Sequence, residues 1–220
     1  MLILFIMRIT IIYDNEINKE GLIPDWGFAC LVEYENSPKI LFDTGADGKI
    51  LISNMRNLHI DPETIDEVFI SHNHWDHTGG IKELLRINPD VKLIIPPSVE
   101  RTVRDTNYKL IEDLSEIHTG IYSTGELAGI EQSMITGVKD GVIVVVGCSH
   151  PGVDIILNSA SKIGTVKGII GGFHGFNKFD ALKDIELICP CHCTQYKSKI
   201  HELYPDKTTK CGAGLELSFT

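Results

Sequence analysis

The sequence predicts a mixed domain, α+β or α/β in class, spanning residues 1–220 as one unit. Two observations carry this. Short β-branched apolar runs alternate along the chain with segments of helical hydrophobic period. Four predicted strands also end in histidine-bearing loops, at 71–77, 148–150, 172–174 and 191–192, which together hold six of the nine histidines. Strand C-termini gathered on one sheet edge make a natural site.

The elements follow in order. Arg8 to Tyr13 reads as a strand, as do 27–34 and 39–43, with Asn36-Ser37-Pro38 as the hairpin turn between the last two. Asp47 is a helix cap for 48–58, where Ile50, Leu51, Met55 and Leu58 recur at helical spacing. Glu67 to Ser71 is a strand leading into the first histidine loop. A helix over 79–88 and a buried strand at 91–95 follow, then a short helix from Pro96-Pro97 through Arg104. Residues 97–140 carry the weakest pattern, with two strands expected near 116–122 and 130–137. Val142 to Val146 is a continuous apolar strand, and Pro151 sits well at the start of the next helix. Strands at 166–170 and 187–188, a helix at 195–203 and a strand near 214–219 complete the chain.

Composition narrows the function classes. Thirty acidic against twenty basic residues leave a formal charge of −10, and no basic run stands out, so nucleic acid is not an expected partner. A small-molecule substrate suits this charge. The apolar start, Met1 to Met7, is too short to span a membrane and lacks the marks of a signal peptide. Met7 is an alternative start, because the first strand is complete without the residues before it. Six cysteines without an export signal predict reduced thiols and a cytoplasmic location.

His72, His74, Asp76 and His77 fall within six residues. A loop with this spacing can turn two imidazoles toward one ion and a carboxylate with an imidazole toward a neighbour. Such ligands suit zinc, with manganese or iron as alternatives. The plainer reading is a polar turn without metal, but an apolar strand leads in and Gly79-Gly80 closes the loop, permitting close backbone approach.

The segment His72-Asn73-His74-Trp75-Asp76-His77, followed by Thr78-Gly79-Gly80, resembles the metal-binding signature of the metallo-β-lactamase superfamily. Leu41-Phe42-Asp43-Thr44-Gly45 resembles its first motif, Cys148-Ser149-His150-Pro151-Gly152 its third, and His192 its last. The resemblance implies a four-layer αβ/βα sandwich with a metal cleft along one edge of two sheets. It implies that His72, His74 and His150 hold one divalent ion, that Asp76, His77 and His192 hold a second, and that Asp43 braces the histidine loop from behind. Tyr13-Asp14-Asn15, Gly171-Gly172-Phe173-His174 and His192-Cys193-Thr194 are similar to one branch, the metal-dependent hydrolases related to a methanopterin-pathway synthase. One departure is visible. Many members carry a bridging aspartate at the end of the strand after the third motif, where this chain has Gly171-Gly172-Phe173-His174. His174 is therefore either a replacement ligand or a substrate-facing residue.

The expected activity is hydrolysis of a small-molecule ester or phosphoester by metal-activated water, whose pKa falls from ~15.7 to about 7 on zinc. Asp76 orients the nucleophile and His174 stabilises developing charge. The rival readings are a synthase or transferase in pterin cofactor assembly, iron redox chemistry with a separate flavin protein, and a metal-binding scaffold without catalysis. Among the quieter residues, Ser71 and Ser149 read as loop-forming. Asp14 and Asn15 belong to a turn or to the rim of the site, and Trp75 to the cleft wall. Cys189, Cys191, Cys193 and Cys211 read as packed thiols rather than a zinc ribbon, and His59, His118 and His201 as surface residues.

Overall fold

The computed structural model describes residues 7–34 and 36–220, so the apolar stretch before Met7 lies outside the described residues. The first half contains β1 (Met7–Tyr13), β2 (Ala29–Tyr34), β3 (Ile40–Phe42), α1 (Gly48–Asn57), β4 (Glu67–Phe69), α2 (Trp75–Thr78), α3 (Ile81–Ile87), β5 (Lys92–Ile95) and β6 (Tyr108–Leu110). The second contains β7 (Asp113–His118), β8 (Ile121–Gly125), β9 (Met134–Val138), β10 (Gly141–Val146), α4 (Val153–Ala160), β11 (Val166–Gly172), β12 (Leu187–Cys191), α5 (Lys197–Leu203) and β13 (Glu216–Phe219).

The strands form two mixed sheets, ordered β13-β1-β2-β3-β4-β5-β6 and β12-β11-β10-β9-β8-β7. Alternation along the strands decides what each face meets. Ile9 and Ile11 of β1, Cys30 and Val32 of β2, and Ile143 and Val145 of β10 meet in a core between the sheets. Ile12, Ala29 and Leu31 turn the other way and pack with Leu51 and Met55 of α1 and Leu84 of α3. Val142, Val144 and Val146 pack with Val153, Ile156 and Ala160 of α4 and Ile200 of α5. Four layers result, helix–sheet–sheet–helix, as the resemblance implied. Asp47 caps α1, its Oδ1 accepting from the Lys49 and Ile50 N–H groups. No helix among the described residues is long and apolar enough to cross a membrane.

The expectations for 97–140 need correction. The strand expected at 116–122 is two strands, β7 and β8, joined by a turn at Gly120, whose φ of +76° suits glycine. β6 was not foreseen; at a sheet edge it buries too little to carry an apolar run. The helix at Pro97–Thr102 is a 3-10 helix, and α2 occupies what reads in sequence as loop. His118 is not an idle surface residue: its Nε2 lies 2.5 Å from Glu67 Oε2, linking β7 of one sheet to β4 of the other. The expectation of six reduced thiols is also corrected. Cys191 and Cys211, 20 residues apart, form a disulfide, while Cys30, Cys148, Cys189 and Cys193 are free.

β3 and β4 run parallel, and so do β10, β11 and β12. Their C-terminal ends release the loops bearing Asp43, His72 to His77, Cys148 to His150, His174 and His192.

Candidate metal centre

The first histidine loop is held by a buried chain of hydrogen bonds. The Ser71 N–H donates to Asp43 Oδ1 (2.7 Å), and the Ser71 hydroxyl donates to Asp43 Oδ2 (2.7 Å). With its proton so committed, Ser71 Oγ accepts from His72 Nδ1 at 2.8 Å. Asp43 Oδ2 also faces His77 Nδ1 at 2.7 Å. Both imidazoles therefore carry their proton on Nδ1 and turn an Nε2 lone pair toward the interior of the site. Burial lowers the His72 and His77 rings below the usual imidazole range, and the neighbouring imidazoles lower them further. Ser71, which reads in sequence as loop-forming, is a relay between Asp43 and His72.

His192 is oriented in the same manner from another direction. Its Nδ1 lies 2.9 Å from Asn15 Oδ1, and its backbone N–H donates to Asp14 Oδ2 at 2.8 Å. Its Nε2 stands 3.1 Å from Asp76 Oδ2. The turn and rim roles of Asp14 and Asn15 are thus combined, since Asp14 Oδ1 also accepts from the Glu16 N–H. Burial raises the Asp76 carboxyl, but the His192 and His77 rings beside it more than offset this, and the group is held well below the usual carboxylate range. Trp26 Nε1–H donates to Asp76 Oδ2 at 2.9 Å, and its ring lies edge-on to His192.

The loop carrying His150 hangs from one residue that no sequence motif flags. Glu131 Oε1 accepts from the N–H groups of Gly147, Cys148 and Ser149 at 3.0–3.1 Å, and Oε2 accepts from that of His150 at 2.9 Å. Burial pushes its carboxyl up to about 7 against those four donors. The backbone bends sharply at each of these loops: Asp43, Ser149, His174 and His192 all have φ between +43° and +58°. Non-glycine residues hold this conformation only where surroundings impose it.

The side chains converge in two sets. One ligand atom each from His72, His74 and His150 lies within 4.8 Å of the others, and so do Asp76, His77 and His192. His72 Nε2 and His74 Nδ1 are 3.0 Å apart. Burial lowers His150 to about 4, so its ring is neutral at neutral pH. Its Nε2 is buried without a hydrogen-bond partner, a state shared among the described side chains only by Ser133 Oγ. An orphaned imidazole lone pair beside two others is chemically incomplete, and a divalent cation completes it. The donor set therefore fits the metals expected from sequence.

His174 joins neither set. It is exposed, with its ring 5.0 Å from that of His150, and lines a cleft of about 330 Å³ with Ser149, Ile155, Phe176 and Lys178. Trp75 is exposed, and Trp26 is the tryptophan that touches the site. The glycines after the histidines allow the expected close approach: a Cβ on Gly79 would meet Ala46 O at 2.0 Å, and one on Gly80 would meet Thr44 O at 2.4 Å.

Residues 27–113 match the sequence pattern of the metallo-β-lactamase superfamily. The chain is 27% identical to the 7,8-dihydropterin-6-methyl-4-(beta-D-ribofuranosyl)-aminobenzene-5'-phosphate synthase of Methanocaldococcus jannaschii, over 80% of this chain and 84% of that one. Among solved structures it resembles Tm1679, a metal-dependent hydrolase of the β-lactamase superfamily, with 25% identity and a TM-score of 0.78 over 96% of this chain and 98% of that one. It shares the fold of YhfI from Bacillus subtilis, with 12% identity and a TM-score of 0.72 over 97% and 99%. Motifs, layer order and these likenesses agree: the chain has the metallo-β-lactamase fold, carries that superfamily's sequence pattern over residues 27–113, and is similar to the methanopterin-pathway synthase over most of its length.

Proposed function

We propose that this protein is a metal-dependent hydrolase of a small-molecule ester or phosphoester. The observation that carries the reading is the pair of converging ligand sets, with His150 Nε2 left unpartnered beside His72 and His74. His72, His74 and His150 would hold one divalent ion, and Asp76, His77 and His192 a second, with zinc the best fit and manganese or iron alternatives. Bound there, the ions would supply Lewis acidity and water activated near neutral pH. The protein's own part is orientation. Asp43, Ser71 and Asn15 hold three imidazoles in one tautomer, so no ring has to reorient when substrate arrives. Asp76, kept ionised, is an acceptor that aligns the attacking water through Oδ1, since Oδ2 already receives Trp26 Nε1–H. His174, on the cleft wall, is available to donate a hydrogen bond to the oxygen on which charge develops. A cleft of this size suits a small ligand, and the charge of −10 disfavours a nucleic acid.

A second reading rests on a specific likeness. The named synthase relative aligns over four-fifths of this chain, which supports a transferase that joins a pterin to a ribosyl-phosphate aromatic amine. Assays on metal-replete protein separate the two. Turnover of aryl esters or phosphodiesters that disappears in His74→Ala supports the hydrolase. Product formed only from a pterin and the aromatic amine phosphate supports the synthase. A metal-replete protein inert in both assays would leave a scaffold.

A further inference from the structure

The strand after the third motif ends in glycines where many superfamily members carry a bridging carboxylate, and the surrounding structure leaves no space for one. A Cβ on Gly172 would stand 2.6 Å from Cys193 Sγ and 2.6 Å from Gly147 O. A Cβ on Gly171 would meet Val146 O at 2.0 Å, on a backbone with φ of +129°. The space at Gly172 is taken instead by the Cys193 sulfur and the backbone of Gly147 and Cys148, and two thiols, Cys148 and Cys193, stand beside it. Cys148 is the one aimed inward. Its backbone N–H is pinned by Glu131 (3.0 Å), it is 3% exposed, and its Sγ lies 3.1 Å from His77 Nε2. That sulfur is within 4.8 Å of ligand atoms of His72, which belongs to the first set, and of His77 and His192, which belong to the second. Among the described cysteines, no other sulfur is grouped with ligand atoms from both sets.

We propose that the Cys148 thiolate bridges the two metal positions, in place of the carboxylate that the glycine-ended strand cannot supply. The proposal rests on the metal centre proposed above. The chemistry of His77 requires a choice. Its Nδ1 proton is committed to Asp43, so its single Nε2 lone pair serves either a Cys148 S–H donor or an ion. When the ion takes the lone pair, the S–H group loses its acceptor. The thiol then gives up its proton to solvent and the sulfur coordinates as thiolate, one proton released per bridge formed. Cys193 packs behind it and fills the void above Gly172. A thiolate in the set also favours zinc, iron or cobalt over manganese and magnesium.

The test is spectroscopic and needs no substrate. Metal-free protein is titrated anaerobically with Co(II), and the near-ultraviolet thiolate-to-cobalt charge-transfer band is recorded beside the visible d–d bands. The band is expected to grow with occupancy in wild type, to vanish in Cys148→Ala and Cys148→Ser, and to persist in Cys193→Ala. Affinity for one ion should fall by more than about tenfold in the Cys148 variants. Two Co(II) ions bound by wild type without charge transfer would overturn the bridge and leave the metal centre standing. So would a band undiminished in both Cys148 variants, which would assign it to another free thiol such as Cys189, or a band lost only in Cys193→Ala. Wild type that binds no Co(II) would overturn the metal centre itself.

Discussion

Glu131 illustrates how one side chain positions a loop it does not belong to. Removing it in Glu131→Ala strands four buried N–H groups, each costing about 1–3 kcal/mol when left unpaired. Partial relaxation and water entry reduce the total, so a loss of about 3 kcal/mol is expected in urea unfolding, together with loss of metal. Asn15→Ala is expected to separate orientation from folding. It frees His192 Nδ1 while leaving the Asp14 bond to the His192 backbone in place. Metal affinity should fall roughly 10- to 100-fold with little change in melting temperature, a result readable by competition with a chromophoric chelator. Unchanged affinity would show that the ring needs no brace. The histidine cluster was legible in sequence because its six residues are contiguous. Glu131, Trp26 and the inward thiol of Cys148 were not, because each acts on residues far from it along the chain.

Elements place these residues by parallel alignment. β10, β11 and β12 run side by side, so three consecutive connections open on one edge, and β3 and β4 do the same in the facing sheet. Glycine keeps the alignment close at Gly171. Gly171→Ala should force β10 and β11 apart and destabilise the protein by about 2 kcal/mol or more, seen as a lower denaturation midpoint. By contrast, Asp47→Ala removes only the cap of α1, on the far side of its sheet from β10 and β12. It should cost about 1 kcal/mol and leave metal content intact. Metal lost in Asp47→Ala would mean that α1 positions the site more directly than its capping bonds suggest. The cap and α1 were readable from local spacing. β6 and the β7–β8 hairpin were not, since edge strands with alternating exposed polar residues leave little apolar signal.

At the scale of the molecule, the ligand sets span the two sheets. His72, His74, Asp76 and His77 follow β4 of one sheet, while His150 and His192 follow β10 and β12 of the other. Ions held there, as proposed above, would tie the halves of the sandwich together, so binding would couple to global stability. At free metal a hundredfold above Kd, the folded state should gain about 2.7 kcal/mol per site. Thermal unfolding should therefore shift upward with zinc and back with a chelator, and His72→Ala should abolish the shift. A melting temperature indifferent to metal would remove the coupling.

The sequence by itself determined most of the strands and the residues from which both ligand sets are drawn, and the resemblance carried by its motifs implied the layer pattern. These are encoded locally, in alternation, in helical period and in short motifs whose members sit within a few residues of one another. Only the tertiary structure decided which nitrogen of each ring faces the centre, that Glu131 and Asn15 fix two of the loops, that His174 stands outside both sets, and that Cys148 occupies the space between them. Those outcomes depend on distances between segments as far apart as Asn15 and His192, which periodicity and motif spacing do not record.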